Sequence, residues 1–225
     1  MNRFKITGLS IVFVAVIAVL INGCATTPST PVDPRMFSED AVFEVSIKSL
    51  AAPDAGSKGK TFFITSATQN INDNDLEFLE VARYIENALS QKGYVRTDNI
   101  ENADILMRLA FGIGNPQAST ETVVTSHGYS YPVGWMWFTA PPQTQTVKTT
   151  TYMRNLILEA YDLKDPKRKS QIWKTTVKSE GTSPDLHRVL AYMVAAASKY
   201  FGTNTGSQID VRISGTDARV LDIWK

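Results

Sequence analysis

Apolar and polar positions along this chain recur with two periods, and the switch between them marks its elements. Val42-Phe43-Glu44-Val45-Ser46-Ile47 puts Phe43, Val45 and Ile47 on one face, the period of a half-buried strand. A Gly/Ser/Lys stretch at 54–60 breaks it, and Thr61-Phe62-Phe63-Ile64-Thr65 reads as a second strand. Over 75–92 the period lengthens. Leu76, Leu79, Ala82, Ile85 and Leu89 recur at three- and four-residue spacing and predict a helix, with Asn74 and Glu77 as a capping box and Gly93 as its stop. Alternation returns at 103–111, where Ile105, Met107, Leu109 and Phe111 share a face, and again in Thr-rich segments at 119–126 and 144–152. Residues 153–163 and 171–178 flank the polar turn Lys164–Ser170 as a hairpin. A second helix is predicted with Ser183 as N-cap, Pro184 at N1, Asp185 in the first turn and Gly202 as its end. Its apolar stripe is Leu186, Val189, Leu190, Met193, Ala197, Tyr200 and Phe201. A short strand, 209–213, and a tail ending in Trp224 follow. No segment repeats. These elements predict an α+β fold: two helices packed on one face of a mostly antiparallel sheet of about six strands.

Ahead of this folded part lies a different pattern. Arg3 and Lys5 precede an apolar stretch from Ile6 to Ile21, and Ile21-Asn22-Gly23-Cys24 closes it. A charged start, an apolar centre and a small residue before the cut site describe a secretory signal peptide. The apolar run is shorter than the roughly 20 residues a membrane-spanning helix needs. Ile21 to Cys24 resembles the lipobox of bacterial lipoproteins. That resemblance implies cleavage between Gly23 and Cys24, and diacylation of the only thiol in the chain. Residues 25–36 hold three prolines, three threonines and a serine, a composition that favours extended polyproline II. The expected organisation is a signal peptide at 1–23, a tether at 24–38, one α+β domain at 39–214 and a tail at 215–225.

Charge and residue types narrow the function. Arg3 and Lys5 are the only charged residues of 1–23, so the remainder carries 21 basic against 22 acidic residues and one net negative charge. A near-neutral chain makes no electrostatic case for nucleic acid. Membrane attachment therefore rests on the lipid at Cys24, not on a basic surface. With the thiol lipidated, neither a disulfide nor Cys–His catalysis is expected. His127 and His187 lack neighbours at metal-ligand spacing, so no metal or other cofactor is expected. No nucleophile elbow occurs, and Gly112-Ile113-Gly114 lacks the third glycine of a dinucleotide fingerprint. Asp73 and Asp75 suit the start of a helix. Lys164, Lys167, Arg168 and Lys169 read as a solvated hairpin tip, with contact to anionic headgroups or glycan phosphates as the alternative.

One segment resists a bland reading. Tyr129-Ser130-Tyr131-Pro132-Val133-Gly134-Trp135-Met136-Trp137-Phe138 is half aromatic, and Gly128, Gly134 and Pro141-Pro142 mark it as loop. Exposed, Tyr129, Tyr131, Trp135, Trp137 and Phe138 would form a partner-binding surface. Folded back, they would cover one face of the sheet.

Leu89-Ser90-Gln91-Lys92-Gly93-Tyr94, Ala103-Asp104-Ile105-Leu106, the 128–138 aromatic run, Leu156-Ile157-Leu158, Ile172-Trp173-Lys174 and the helix at 183–201 together carry a resemblance. Over roughly 40–205 the chain resembles a group of bacterial envelope lipoproteins that share one domain of unknown function. The resemblance implies a periplasmic α+β domain on the outer membrane and brings no catalytic residues. Ala25, directly after the lipidated cysteine, permits outer-membrane sorting where an Asp would favour the inner one. The expectation is a non-enzymatic outer-membrane lipoprotein facing the periplasm, an envelope accessory or interaction module with an envelope protein as partner. The alternative is a carrier or sensor of a small hydrophobic or glycan ligand with the aromatic segment as its lid, and an enzyme is a third reading.

Overall fold

The computed structural model describes residues 33–165 and 170–225. The signal peptide, Gly23, Cys24, the tether up to residue 32, and Lys167, Arg168 and Lys169 lie outside the described residues. Strands β1 (Val42–Ala51), β2 (Thr61–Ser66), β3 (Val95–Arg96), β4 (Ile105–Ile113), β5 (Gln117–Ser126), β8 (Gln143–Asp162), β9 (Gln171–Gly181) and β10 (Ile209–Ser214) form one sheet. Its order is β10-β1-β9-β8-β4-β2-β3, with β5 joined to β8 beyond the end of β4. β6 (Tyr129–Val133) and β7 (Met136–Ala140) form a separate pair. Only β2 runs parallel to its neighbours, β3 and β4; the remaining pairings are antiparallel.

The α+β class and the antiparallel bias hold, but there are more elements than the sequence pattern predicted. Three α-helices are present among the described residues: α1 (Leu76–Ser90), α2 (Leu186–Ala197) and α3 (Ala218–Trp224). The last is the expected tail. Val220, Ile223 and Trp224 are buried on α1 and α2, so the tail belongs to the domain. The tether is also shorter than expected. Phe37 packs edge-on against Phe43 and Tyr192, and Arg188 donates to the Arg35 and Met36 carbonyls at 2.8 and 2.7 Å. Residues 33–38 are thus already docked.

Both predicted helices form, with corrections at their starts. In α1 the buried residues are Phe78, Val81, Ala82, Tyr84, Ile85, Ala88 and Leu89, whereas Leu76 is 83% exposed and Leu79 is exposed too. The stripe therefore holds only from Ala82 onwards. The capping box on Asn74 does not form. Asp75 occupies the N-cap position, and Asp73 turns away to accept from Thr65 Oγ1 and Ser66 N. In α2 the cap is Asp185, which accepts from Arg188 N at 3.1 Å, two residues beyond the expected Ser183. Val189 to Ala197 is buried without interruption, Met193 included. A helix apolar on every side is one enclosed between layers.

Several motifs of the family pattern are pins in this core. Gly93 N bonds the Ser90 carbonyl and Tyr94 N the Leu89 carbonyl, the paired bonds of a Schellman end, with Gly93 at φ 79°. Lys92 reaches across to the Lys199 and Phe201 carbonyls beyond α2, at 2.9 and 2.6 Å. Asp104 clasps β2 to β4, accepting from Thr61 N and Oγ1 at 3.2 and 2.7 Å. A Cβ on Gly59 would fall 1.9 Å from that carboxylate, so only glycine fits there. Trp173 is buried against Phe201.

Candidate functional site

β8 is 20 residues long, about twice the upper end of the usual range, and only its second half lies in the main sheet. Arg154–Asp162 pairs with β4, and Tyr152 onwards pairs with β9. Gln143–Thr151 pairs with β5 alone. The two Thr-rich segments predicted separately are therefore the strands of one ribbon, about 25 Å long at ~3.3 Å per residue. β4 leads into β5 through Gly114-Asn115-Pro116, so the ribbon continues the β4–β8 pair past the end of the sheet. Both of its edges are unpaired among the described residues.

The aromatic segment caps this ribbon as a hairpin, not as a loop. Tyr129 to Val133 pairs with Met136 to Ala140, and the chain reverses across Gly134-Trp135. Gly134 takes φ 62°, the positive angle that the first position of a type II′ turn requires. The β-forming tendency of Tyr, Val, Trp and Phe outweighs the Pro and Gly signals, and Pro132 is tolerated because it sits on an edge. Tyr131 stacks on Phe138 at 6.3 Å, and Tyr129 lies 5.7 Å from Tyr131.

None of these side chains covers the sheet. Trp135 is 92% exposed, Trp137 72% and Tyr129 63%, and Tyr131, Val133, Met136 and Phe138 are exposed as well. All five predicted residues, Tyr129, Tyr131, Trp135, Trp137 and Phe138, come together at the arm's end. The 26 residues between Glu121 and Lys148 hold no Asp, Glu, Lys or Arg. The arm's end is thus an uncharged surface that exposes seven large apolar side chains.

The other candidates lead elsewhere. His187 lies on α2 with Nδ1 3.0 Å from Glu80 Oε2 on α1, and His127 links β5 to β6. No group of three His, Cys, Asp or Glu able to hold a metal ion occurs among the described residues. Lys164 Nζ lies 2.5 Å from Asp104 Oδ1, and that ammonium with the Thr61 donors holds the Asp104 carboxyl down at about 2. Five surface hollows of about 310–430 Å³ are lined elsewhere, and none of the five includes a residue of 128–140.

Sequence reasoning missed one group at the arm's root. Arg154 is 0% exposed on the core face of β8. Its Nη2 donates to the Ser183 carbonyl ahead of α2, while Nε, Nη1 and the neighbouring Ser179 Oγ have no partner among the described residues. Burial alone pushes the guanidinium pKa down, with no carboxylate acting on it. The strand alternation that predicts inward residues would place position 154 inside, but Arg at that position carries no apolar signal to flag it.

Residues 51–201 match the family model of DUF4136, a domain of unknown function. No curated protein matches the chain in sequence. Among solved structures, a DUF4136 family protein from Bacteroides thetaiotaomicron is similar, with 12% identity and a TM-score of 0.40 over 71% of this chain and 97% of that one. The PelC dodecamer from Paraburkholderia phytofirmans matches with 12% identity and a TM-score of 0.39 over 70% and 95%. A PDZ domain protein from Parabacteroides distasonis matches with 16% identity and a TM-score of 0.39 over 77% of this chain. This chain spans 39% of that protein's length.

Proposed function

Because the chain belongs to the DUF4136 family, a domain without an assigned function, its role must be argued from its own residues, and we propose an envelope interaction module. In this reading it is a non-enzymatic lipoprotein, anchored through Cys24 to the outer membrane and facing the periplasm, whose arm makes the contacts. The observation that carries the reading is the arm itself. An isolated two-stranded ribbon is at best marginally stable in water, and open edges invite pairing or cover. A chain that spends over thirty residues on such a ribbon, with exposed tryptophans at its end, gains from it only when something covers it. The other motifs of the family pattern pin the core, whereas the aromatic run is held out on the arm.

The test is a double substitution, Trp135→Ala with Trp137→Ala. Both rings are exposed, so the melting temperature should stay within a degree or two of wild type, surface changes being worth about ±0.5 kcal/mol. Contact residues at an interface centre cost about 2 kcal/mol or more when truncated, so the variant should reproduce the envelope defects of a deletion strain. An early melt would make the hairpin structural and remove the basis of the proposal. The anchor is checked separately by alkyne-fatty-acid labelling, which Cys24→Ser should abolish, and by density-gradient recovery in the outer-membrane fraction.

A further inference from the structure

We propose that the arm's hairpin tip docks on the lipid bilayer itself, with Trp135 at its apex entering the interfacial region; this deepens the anchor reading above and rests on it. Three independent observations meet here.

The first is chemical. The tip offers tryptophan, tyrosine, phenylalanine, methionine and valine side chains on both faces of a narrow ribbon, without a formal charge between Glu121 and Lys148. Trp and Tyr are the residues of membrane–water interfaces, where an apolar ring and a polar N–H or O–H are both accommodated. A protein partner bound by edge pairing would use the ribbon's backbone and leave these rings in water. The absence of Lys and Arg rules out an electrostatic attraction to anionic headgroups as the source of binding.

The second observation is the direction of the arm. Val45 pairs with Ser179 and Tyr152 with Gly181, so β1 begins, and β9 ends, at the edge of the sheet from which the ribbon departs. The described chain enters there as well. Arg35 and Met36 are bound by Arg188 in the first turn of α2, and Arg154 at the arm's root bonds Ser183 just before that turn. The entry of the chain and the root of the arm share one end of the domain.

The third is reach. Eight residues separate Cys24 from Asp33, and each of the nine steps spans at most ~3.3–3.6 Å, so an anchored Cys24 lies within about 30 Å of Asp33. The ribbon is about 25 Å long and the hairpin about 13 Å, so the arm's length from the same end is at most roughly 40 Å. The two lengths are comparable, so the tip is able to reach the bilayer that holds Cys24. Depth follows from the backbone: the edges of β6 and β7 are unpaired, which hydrocarbon does not tolerate, so the tip stops among the headgroups and upper acyl chains.

The experiment uses the full chain with its native lipid, reconstituted in vesicles of phosphatidylethanolamine and phosphatidylglycerol, with and without brominated acyl chains. Of the four tryptophans, Trp173 and Trp224 are buried in the domain and serve as internal references. Brominated lipid should remove up to about half of the emission in wild type, the share of Trp135 and Trp137. Trp135→Phe with Trp137→Phe should float with the vesicles and lose that quenching. Wild type that floats without quenching would overturn the inference, leave the anchor intact and point to a protein on the arm. Protein that neither floats nor is quenched would overturn both. Quenching that persists in a Cys24→Ser chain would support the tip contact and count against the anchor as its cause.

Discussion

Arg154 offers the sharpest test of the packing described above. A buried guanidinium without a counter-charge is costly, and breaking or replacing such groups has opposite effects depending on what fills the space. Arg154→Met keeps an unbranched stem of similar reach and removes the charge. The removed charge is worth about 1–4 kcal/mol in favour of the variant, by analogy with buried ionic groups replaced by apolar ones. Against it stands the Ser183 carbonyl, which loses its Nη2 donor at a cost of about 1 kcal/mol or somewhat more. The balance runs from neutral to about 3 kcal/mol stabilising, up to roughly 10 °C in melting temperature for a domain of this size. Arg154→Ala removes the stem as well and leaves a cavity, so it should be about 2–5 kcal/mol less stable than Arg154→Met. Thermal and urea melts of the two variants beside wild type read both signs. If Arg154→Met is destabilised by more than about 2 kcal/mol, the guanidinium has a partner, an internal water or anion, and the description of an unpaired charge is wrong.

Two further outcomes follow from the core. Met193→Asp places an unpaired carboxylate at the centre of α2, which costs several kcal/mol against a total margin of about 5–15, so the cooperative melt should be lost; a melt within a few degrees of wild type would refute the enclosed position of α2. The Asp104 carboxyl is held at about 2 against an ordinary value of 3.8, so its contribution is full above pH ~4 and fades as pH falls toward 2. Asp104→Asn should therefore be less stable than wild type at neutral pH and converge with it between about pH 4 and 2 in an acid-unfolding series.

The central elements were legible because their periods are clean. The faces of β1, β4 and the second half of β8 follow from alternation, and α2 follows from its stripe. Where several signals competed, the pattern misled. Leu76 and Leu79 match a helical stripe, yet the face of α1 that meets the core in its first turns is the one carrying Phe78 and Val81, and both leucines lie off it. The tail at 215–225 is too short to show a period, and only tertiary packing of Val220, Ile223 and Trp224 makes it a helix. At the candidate site, the five aromatics were visible from composition, but their conformation was not. Pro132 and Gly134 argued for a loop, while Gly134 supplies the turn that closes a hairpin. The ribbon beneath it escaped because Thr-rich alternation does not say which strand it joins.

The length of β8 also makes the arm a ruler. Every residue added to both β5 and β8 carries the tip outward by about 3.3 Å and reverses the side each ring faces, whereas pairs of residues extend the reach and preserve the faces. Nothing in the domain has to change, since the β4–β8 and β8–β9 registers begin only at Arg154 and Tyr152. Reach is thus set by counting residue pairs in the ribbon, independently of the packing that holds the core.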